Sequence, residues 1–412
     1  MYLPLAGVRV VAVEQAVAMP FCSFVLAELG ADVIRVEPLS GDVIRGWDEV
    51  VRGLASGFVW LNTGKRDIAV DLKCDSGQQI VRRLVRTADV FVENFAPGVA
   101  DRLGIGSAAL TGADPALIYC SLSGYGQDGP WRTGKAYDLL IQGESGLLMT
   151  NGTEELPAKI GVPIADLVAG ATACISIVAA LYERNRTNGG HVLDVAMLDA
   201  VALWLGYFAH RSWHNGEEPP RTGTRHQYLS PYGPYRAADG RLVNLVVASD
   251  TDWRRFCVGV ADRPEWLDDP NMRTLQARTQ NRSTVETAVE ALIATEPAEV
   301  WLRRLRAAGL AAGAVRTIGE ALAHPQLKAR KVFVPADSPV GTIPVTRFAT
   351  ADVDKPRVLP DFAEHTEQVL LEAGFTRTEI ADYVTSGVVF CGRDAGSGQA
   401  NAPPVREMRE SG

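Results

Sequence analysis

The sequence predicts an α/β protein with two domains: a large one built on a parallel sheet covered by helices, and a smaller α+β one. Two observations carry this. Strand-like and helix-like segments alternate through the first 200 residues, the pattern of repeated βαβ units. After about residue 215 a Gly/Pro-rich stretch intervenes, followed by a hairpin pattern and helical periodicity. With 412 residues, 47% hydrophobic and 22% charged, the chain is long enough to bury a large core without staples.

The elements follow in order. "VRVVAVE" (Val8–Glu14) reads as a buried strand, "PFCSFVLAELG" as a helix ended by Gly30, and "ADVIRVE" (Ala31–Glu37) as a second strand. This first unit is Rossmann-like. "DIAVDL", "DVFVENF" and "ALIYCSLS" continue as strands, with helices in "SGQQIVRRLVRTA" and "GVADRLG" between them. An apolar helix follows Pro163. Its longest apolar run, Leu167–Tyr182, is sixteen residues, short for a membrane span and better suited to a buried helix. "HVLDVAM" reads as a strand and "LDAVALWLGYFAHRSWH" as a helix. The expected organisation is a large domain over 1–200, a linker over 201–225, a small α+β domain over 226–325, a return to the large domain over 326–385, and a disordered tail over 386–412. In the small domain, "YGPYRAADGRLVNLVVA" predicts a hairpin turning at its "DG".

A formal net charge of −8 argues against a nucleic-acid partner, which needs a concentrated basic surface. The six cysteines are scattered without a CxxC pair, which disfavours zinc ribbons and disulfide frameworks. The N-terminus lacks a basic, then apolar, leader pattern, so a cytoplasmic location without membrane attachment is expected. His210 and His214 stand four apart in "HRSWH", but no acidic third ligand is near in sequence; no metal is expected. No GxSxG elbow is present.

One motif invites a dinucleotide reading. "LSGYGQDGP" holds GxGxxG at Gly124, Gly126 and Gly129 after a strand-like run, with Glu144 twenty residues past Gly124. The fingerprint requires a helix to start at the glycines. Pro130, Trp131 and then Gly134 follow instead. The first βαβ unit offers Glu37 as a ribose acid but has no glycine in "EQAVAMP". The topology is therefore Rossmann-like while the nicotinamide chemistry is missing.

Asp166 is the lone carboxylate at the front of the apolar helix, among Ala165, Ala169, Gly170 and Ala171. It suits either a helix cap or a partly buried nucleophile with room beside it for a substrate, kept ionised by the helix N-terminus.

The motifs "LAGVRVV", "LAELGADVIRVEP", "SGDVIRGW", "KRDIAVDLK", "DVFVENFAPG", "SLSGYGQDGP", "KAYDLLIQGESGL", "PIADLVAG" and "ALYERNRTNGG" occur in this order. Together they resemble the family III CoA-transferases, which include formyl-CoA and crotonobetainyl-CoA transferases and, as a branch, α-methylacyl-CoA racemase. The resemblance spans about residues 4–375. It implies an interlocked homodimer, acyl-CoA and carboxylic acid substrates, coenzyme A as part of the substrate thioester, and no permanently bound cofactor. It implies that Asp166 is the nucleophile. It also implies CoA contacts from Val17 and Ala18; Val70, Asp71, Leu72 and Lys73; Asn94, Phe95 and Ala96; Arg102; and Lys135, Ala136, Tyr137 and Asp138.

Departures from the family refine the expectation. Val17 and Pro38 stand where formyl-CoA transferase has a glutamine and an arginine, which argues against that reaction. Tyr137 stands where the racemase branch has its histidine; a phenol is a poor base at neutral pH. "EQAVAMPF", "FVWLNTGK", "RTGTRH" and "PYGPY" resemble members acting on short dicarboxylates such as succinyl, mesaconyl or citramalyl groups. Arg45, Arg225 and His226 are candidates for holding a second substrate carboxylate. The alternatives are a racemase-like enzyme and a CoA-binding protein without catalysis.

Overall fold

The computed structural model describes residues 2–216 and 218–392. The chain divides into two compact units. The first comprises Met1–Leu147, Ile160–Gly206 and the chain from Lys328 on; the second comprises Leu148–Lys159 and Tyr207–Leu327.

The first unit is organised by strands β1 (Arg9–Val13), β2 (Asp32–Glu37), β3 (Arg66–Val70), β4 (Val90–Glu93), β5 (Ile118–Ser123) and β6 (Val192–Ala196). They pair in parallel in the order β3-β2-β1-β4-β5-β6. Strands β1 to β5 are rich in β-branched residues and nearly all buried, as a sheet covered on both faces requires, whereas the edge strand β6 is buried only at Val195 and Ala196. Alternation along β1 divides the core: Val10 and Ala12 face one cluster, Val11 and Val13 the other.

Helices α1 (Ala18–Glu28), α2 (Ser56–Asn62), α3 (Asp75–Val85), α4 (Val99–Arg102), α5 (Ser107–Ala113), α6 (Asp138–Glu144), α7 (Ile164–Thr187) and α8 (Met197–Trp204) surround the sheet. Helix α3 shows why such segments fold as they do. Ile80, Val81, Leu84 and Val85 form its buried stripe, Asp75 sits in its first turn and Arg82 and Arg83 in its last, matching the helix dipole at both ends. Helix α1 ends as expected: Gly30 takes a φ of +105°, and the Ala31 N–H reaches back to the Leu26 carbonyl at 3.1 Å.

Helix α7 runs for 24 residues, well beyond its sixteen-residue apolar run, and is long and apolar enough to cross a bilayer. Its Ala165, Val168, Ala169, Ala173 and Ile177 are buried in the cluster that α1 and β5 also build. Gly170 makes the close approach possible: a Cβ there would lie 2.3 Å from the Ala18 carbonyl oxygen. The start of α7 is thereby pinned beside the start of α1.

Two features depart from the expected organisation. Residues 148–159 cluster with the second unit, although they lie inside the stretch 1–200 assigned by sequence to the large domain. Within the supposed tail 386–412, Val389–Phe390 forms an antiparallel edge strand on β3. The pairing is short and its apolar content small, so the polar residues around it hide the signal. The rest of that tail, from residue 393, lies outside the described residues.

The second unit carries a three-stranded sheet of β7 (Tyr232–Arg236), β8 (Leu242–Val246) and β9 (Ala311–Ala314), antiparallel throughout. The hairpin turns near Gly240 as the sequence predicts. Trp253, Phe256, Val289, Trp301 and Leu305 form its core with Tyr235 and Leu245.

Candidate functional site

The strand order of the first unit reverses between β1 and β4, and open α/β sheets bind ligands outside the carboxyl ends of their strands at such a point. A cavity of about 650 Å³ lies there. The β1–α1 turn supplies Gln15 to Ala18 and the segment after β4 supplies Asn94 to Pro97. Leu122 to Gly124 come from the end of β5, and Lys135 to Asp138 from the approach to α6. Val43, Trp47, Arg132 to Gly134, Asp166 and Met197 complete the wall. Asn94 ties two of these segments together. Its side-chain oxygen accepts the Gln15 N–H at 3.0 Å and its amide donates to the Gln15 carbonyl at 2.9 Å.

Asp166 does not cap its helix. Pro163 occupies the cap position without a side-chain bond. The free N–H of Ala165 is instead satisfied by Asp138, whose Oδ1 accepts it at 2.8 Å. The Gln142 amide donates to the other Asp138 oxygen at 2.8 Å, and its own oxygen accepts the Ile160 N–H at 3.0 Å. Burial and then the nearby Asp138 carboxylate push Asp166 up to about 7. Both act against the ionisation that the helix N-terminus favours, the effect expected from sequence. A carboxyl raised by burial and a like charge in such a crevice marks a candidate functional position.

The expected CoA contacts fall into three groups. Val17, Ala18, Asn94, Phe95, Ala96, Lys135, Ala136, Tyr137, Asp138 and Asp166 come together around the one cavity. Arg102 lines an adjoining cavity of about 580 Å³ with Glu93, Tyr119 and Asp194. There, burial pushes Glu93 up to about 7. Val70 to Lys73 line neither cavity. Val70 is 1% exposed in the core, the Asp71 N–H bonds the Val388 carbonyl, and only Lys73 of the four is exposed.

The candidates for a second substrate carboxylate are already engaged. Arg45 packs over Phe58, 3.6 Å from the ring centroid, and donates to Glu37. Arg225, in the second unit, donates to Glu290 and to the Pro234 carbonyl and packs over Tyr235. His226 stacks on Tyr232. Glu37, once a possible ribose acid, is fully buried. Burial acts to raise it, but the Arg35 and Arg45 guanidiniums hold it well below the usual carboxylate range.

The glycine motif has packing roles. Gly124 lies against Ala136, where a Cβ would come within 2.0 Å of that side chain. The Gly126 N–H bonds the Ser123 hydroxyl at 3.0 Å and the Gln127 N–H bonds Asp194 at 2.9 Å. No helix begins at these glycines; α6 starts at Asp138. Sequence reasoning missed Gln15, Val43, Trp47 and Met197 as lining residues. Trp47 is 56% exposed, and a tryptophan in a polar turn was the available signal.

A mostly parallel sheet covered on both faces, with a cavity at its switch point and the half-buried Asp166 carboxyl in its wall, is the setting in which open α/β folds bind their ligands. The chain belongs to CoA-transferase family III, whose model matches residues 5–366. It is therefore a CoA-transferring enzyme. It is 35% identical to the succinate–glutarate CoA-transferase of Agrobacterium fabrum, over 90% of this chain and 95% of that one. It is 31% identical to the mouse succinyl-CoA:glutarate CoA-transferase, over 94% and 90% respectively. A CAIB/BAIF family crystal structure from Brucella suis matches with a TM-score of 0.80 at 32% identity, over 90% of this chain and all of that one.

Proposed function

We propose that this enzyme moves CoA from a short dicarboxylyl-CoA, such as succinyl-CoA, to a carboxylic acid, with Asp166 as the nucleophile. The raised carboxyl of Asp166 in the switch-point cavity carries this reading. Named relatives that use succinyl-CoA or succinate support the donor class.

An Asp166 oxygen attacks the donor thioester carbonyl. The C–S bond breaks and CoA leaves as thiolate, giving a mixed anhydride. The thiolate attacks the aspartyl carbonyl, the anhydride C–O bond breaks, and the donor acid departs as carboxylate. The acceptor carboxylate then attacks the aspartyl–CoA thioester, expelling thiolate and forming a second anhydride. Thiolate attacks the acceptor carbonyl, restoring Asp166 and releasing the new acyl-CoA. Splitting the exchange this way replaces one hard step by several near-balanced ones. Desolvation that raises Asp166 also makes its ionised form a stronger nucleophile once the site closes over substrate. The cavity would hold the acyl and pantetheine end, with Asn94 to Ala96 and Lys135 to Asp138 along it, and exposed Lys73 available to a phosphate.

The working unit is a homodimer in this reading, interlocked as the family resemblance implies. Ile175 and Tyr182 on α7 and Leu203 and Trp204 on α8 are 61–77% exposed, an apolar surface that a second copy would cover.

Incubation with succinyl-CoA and a panel of carboxylic acids, with mass spectrometry of Asp166 after hydroxylamine treatment, tests the mechanism. An adduct or hydroxamate on Asp166 is expected. Transfer without any modification of Asp166, or no transfer to any acid, would overturn it.

A further inference from the structure

Ala16 lies in the turn between β1 and α1 with a φ of +59°, the left-handed region that costs an L-residue free energy. It does so where "EQAVAMP" has no glycine to take up that conformation. The structure shows what holds it. The Ala16 N–H donates to both oxygens of Asp42, at 3.2 and 3.1 Å. Asp42 is 5% exposed and is itself fixed on every side. Its carboxylate pairs with the fully buried Arg35, its own N–H donates to Glu37 at 2.6 Å, and its Oδ1 also accepts the Ile44 N–H at 3.1 Å.

Both ends of this linkage reach the cavity. On one side, Ala16 precedes Val17 and Ala18, which line it at the start of α1. On the other, Asp42 caps the turn Val43–Gly46, and Val43 and Trp47 line the opposite flank. One buried carboxylate therefore joins two walls of the cavity, and the sheet-borne Arg35 anchors it.

We propose that Asp42 is a positioning residue for acyl-CoA binding. It holds Ala16 in the left-handed conformation, which sets the direction of the β1–α1 turn and the placement of Val17 and Ala18 against the thioester end of the ligand. This rests on the cavity being the acyl-CoA site. The carboxylate acts through backbone geometry and touches no reacting atom.

The linkage predicts a specific rescue. Glycine adopts the left-handed region without cost, so the Ala16→Gly background should no longer need Asp42 to hold the turn. Asp42→Asn removes the charge facing Arg35, whereas Asp42→Glu keeps the charge but displaces the oxygens from the Ala16 N–H. Steady-state kinetics with succinyl-CoA and calorimetric titration with CoA would be run on each, alone and combined with Ala16→Gly. Alone, each should raise the KM for the acyl-CoA and the Kd for CoA about tenfold, with kcat changed much less. Combined with Ala16→Gly, most of that loss should be recovered. A stable Asp42→Glu protein with wild-type KM and Kd would overturn the proposal, as would an equal loss in both backgrounds. Failure of Asp42→Glu to fold in both backgrounds would also count against it, by making Asp42 a folding residue. Asp166→Asn separates the two levels. If that variant still transfers CoA, the reading of the cavity fails; if it is inactive while Asp42→Glu binds normally, only the positioning role fails.

Discussion

Asp138, the first residue of α6, accepts the Ala165 N–H in the first turn of α7 at 2.8 Å. One carboxylate thus closes a helix end and places a negative charge beside Asp166, the next residue along. The same carboxylate, with burial, raises the proposed nucleophile Asp166.

The pH dependence follows from that shift. In the proposed mechanism Asp166 must be ionised to attack, and burial with the neighbouring Asp138 pushes its carboxyl up to about 7. The kcat/KM of the free enzyme should therefore fall as pH drops through 7, approaching tenfold per unit. Steady-state rates between pH 5 and 9 measure this.

The same shift sets a stability signature for Asp166→Asn. A carboxyl raised in the folded state binds more protons there than when unfolded, so wild-type stability declines as pH rises from about 4 to 7. The amide has no such cost. The variant should lose at least about 10³-fold in transfer yet be more stable than wild type at pH 8 by about 2–4 kcal/mol, and so melt at a higher temperature. The two should converge near pH 4. Thermal melts at both pH values check it.

Asp138→Asn removes the like charge and should move the acid limb of the rate profile to lower pH. Asp138→Ala also removes the acceptor for the Ala165 N–H and should cost about 1 kcal/mol. Comparison of their pH–rate profiles and denaturation midpoints separates charge from capping.

Gly170→Ala tests the close approach of α1 and α7. Its methyl would meet first the Ala18 backbone carbonyl at 2.3 Å and then the Phe21 ring at 3.1 Å. The expected cost is about 1–3 kcal/mol, with a rise in KM as Ala18 shifts. Chemical denaturation and kinetics would show both.

Tyr182→Glu tests the exposed face of α7. In the proposed interlocked dimer it should lower the melting temperature and reduce transfer, as read by thermal melts and activity at matched concentrations. Unchanged stability and activity would place the subunit contact elsewhere.

Much of the fold was legible because its signals are local. Val10 to Val13 and Ala116 to Cys120 are unbroken apolar runs, and Gly30 marks a helix end by its own chemistry. Asp166 could be singled out because it is alone among small apolar neighbours. The remainder depends on partners distant in sequence. Nothing in "KAYD" shows that Asp138 reaches Ala165, 27 residues on. Arg45 looked available because its partner Glu37 read as the end of a strand, not as one of the acids around Arg35. The left-handed Ala16 is invisible in a motif without glycine, since the carboxylate that holds it comes from another loop.

The short edge strand Val389–Phe390 has a consequence for handling the protein. It covers part of the β3 backbone that would otherwise face water at the rim of the sheet. A chain cut back before residue 388 would keep the residues of the switch-point cavity but bare that rim, inviting strand-to-strand stacking between molecules. Loss of solubility, with activity per folded molecule preserved, is the failure such trimming invites.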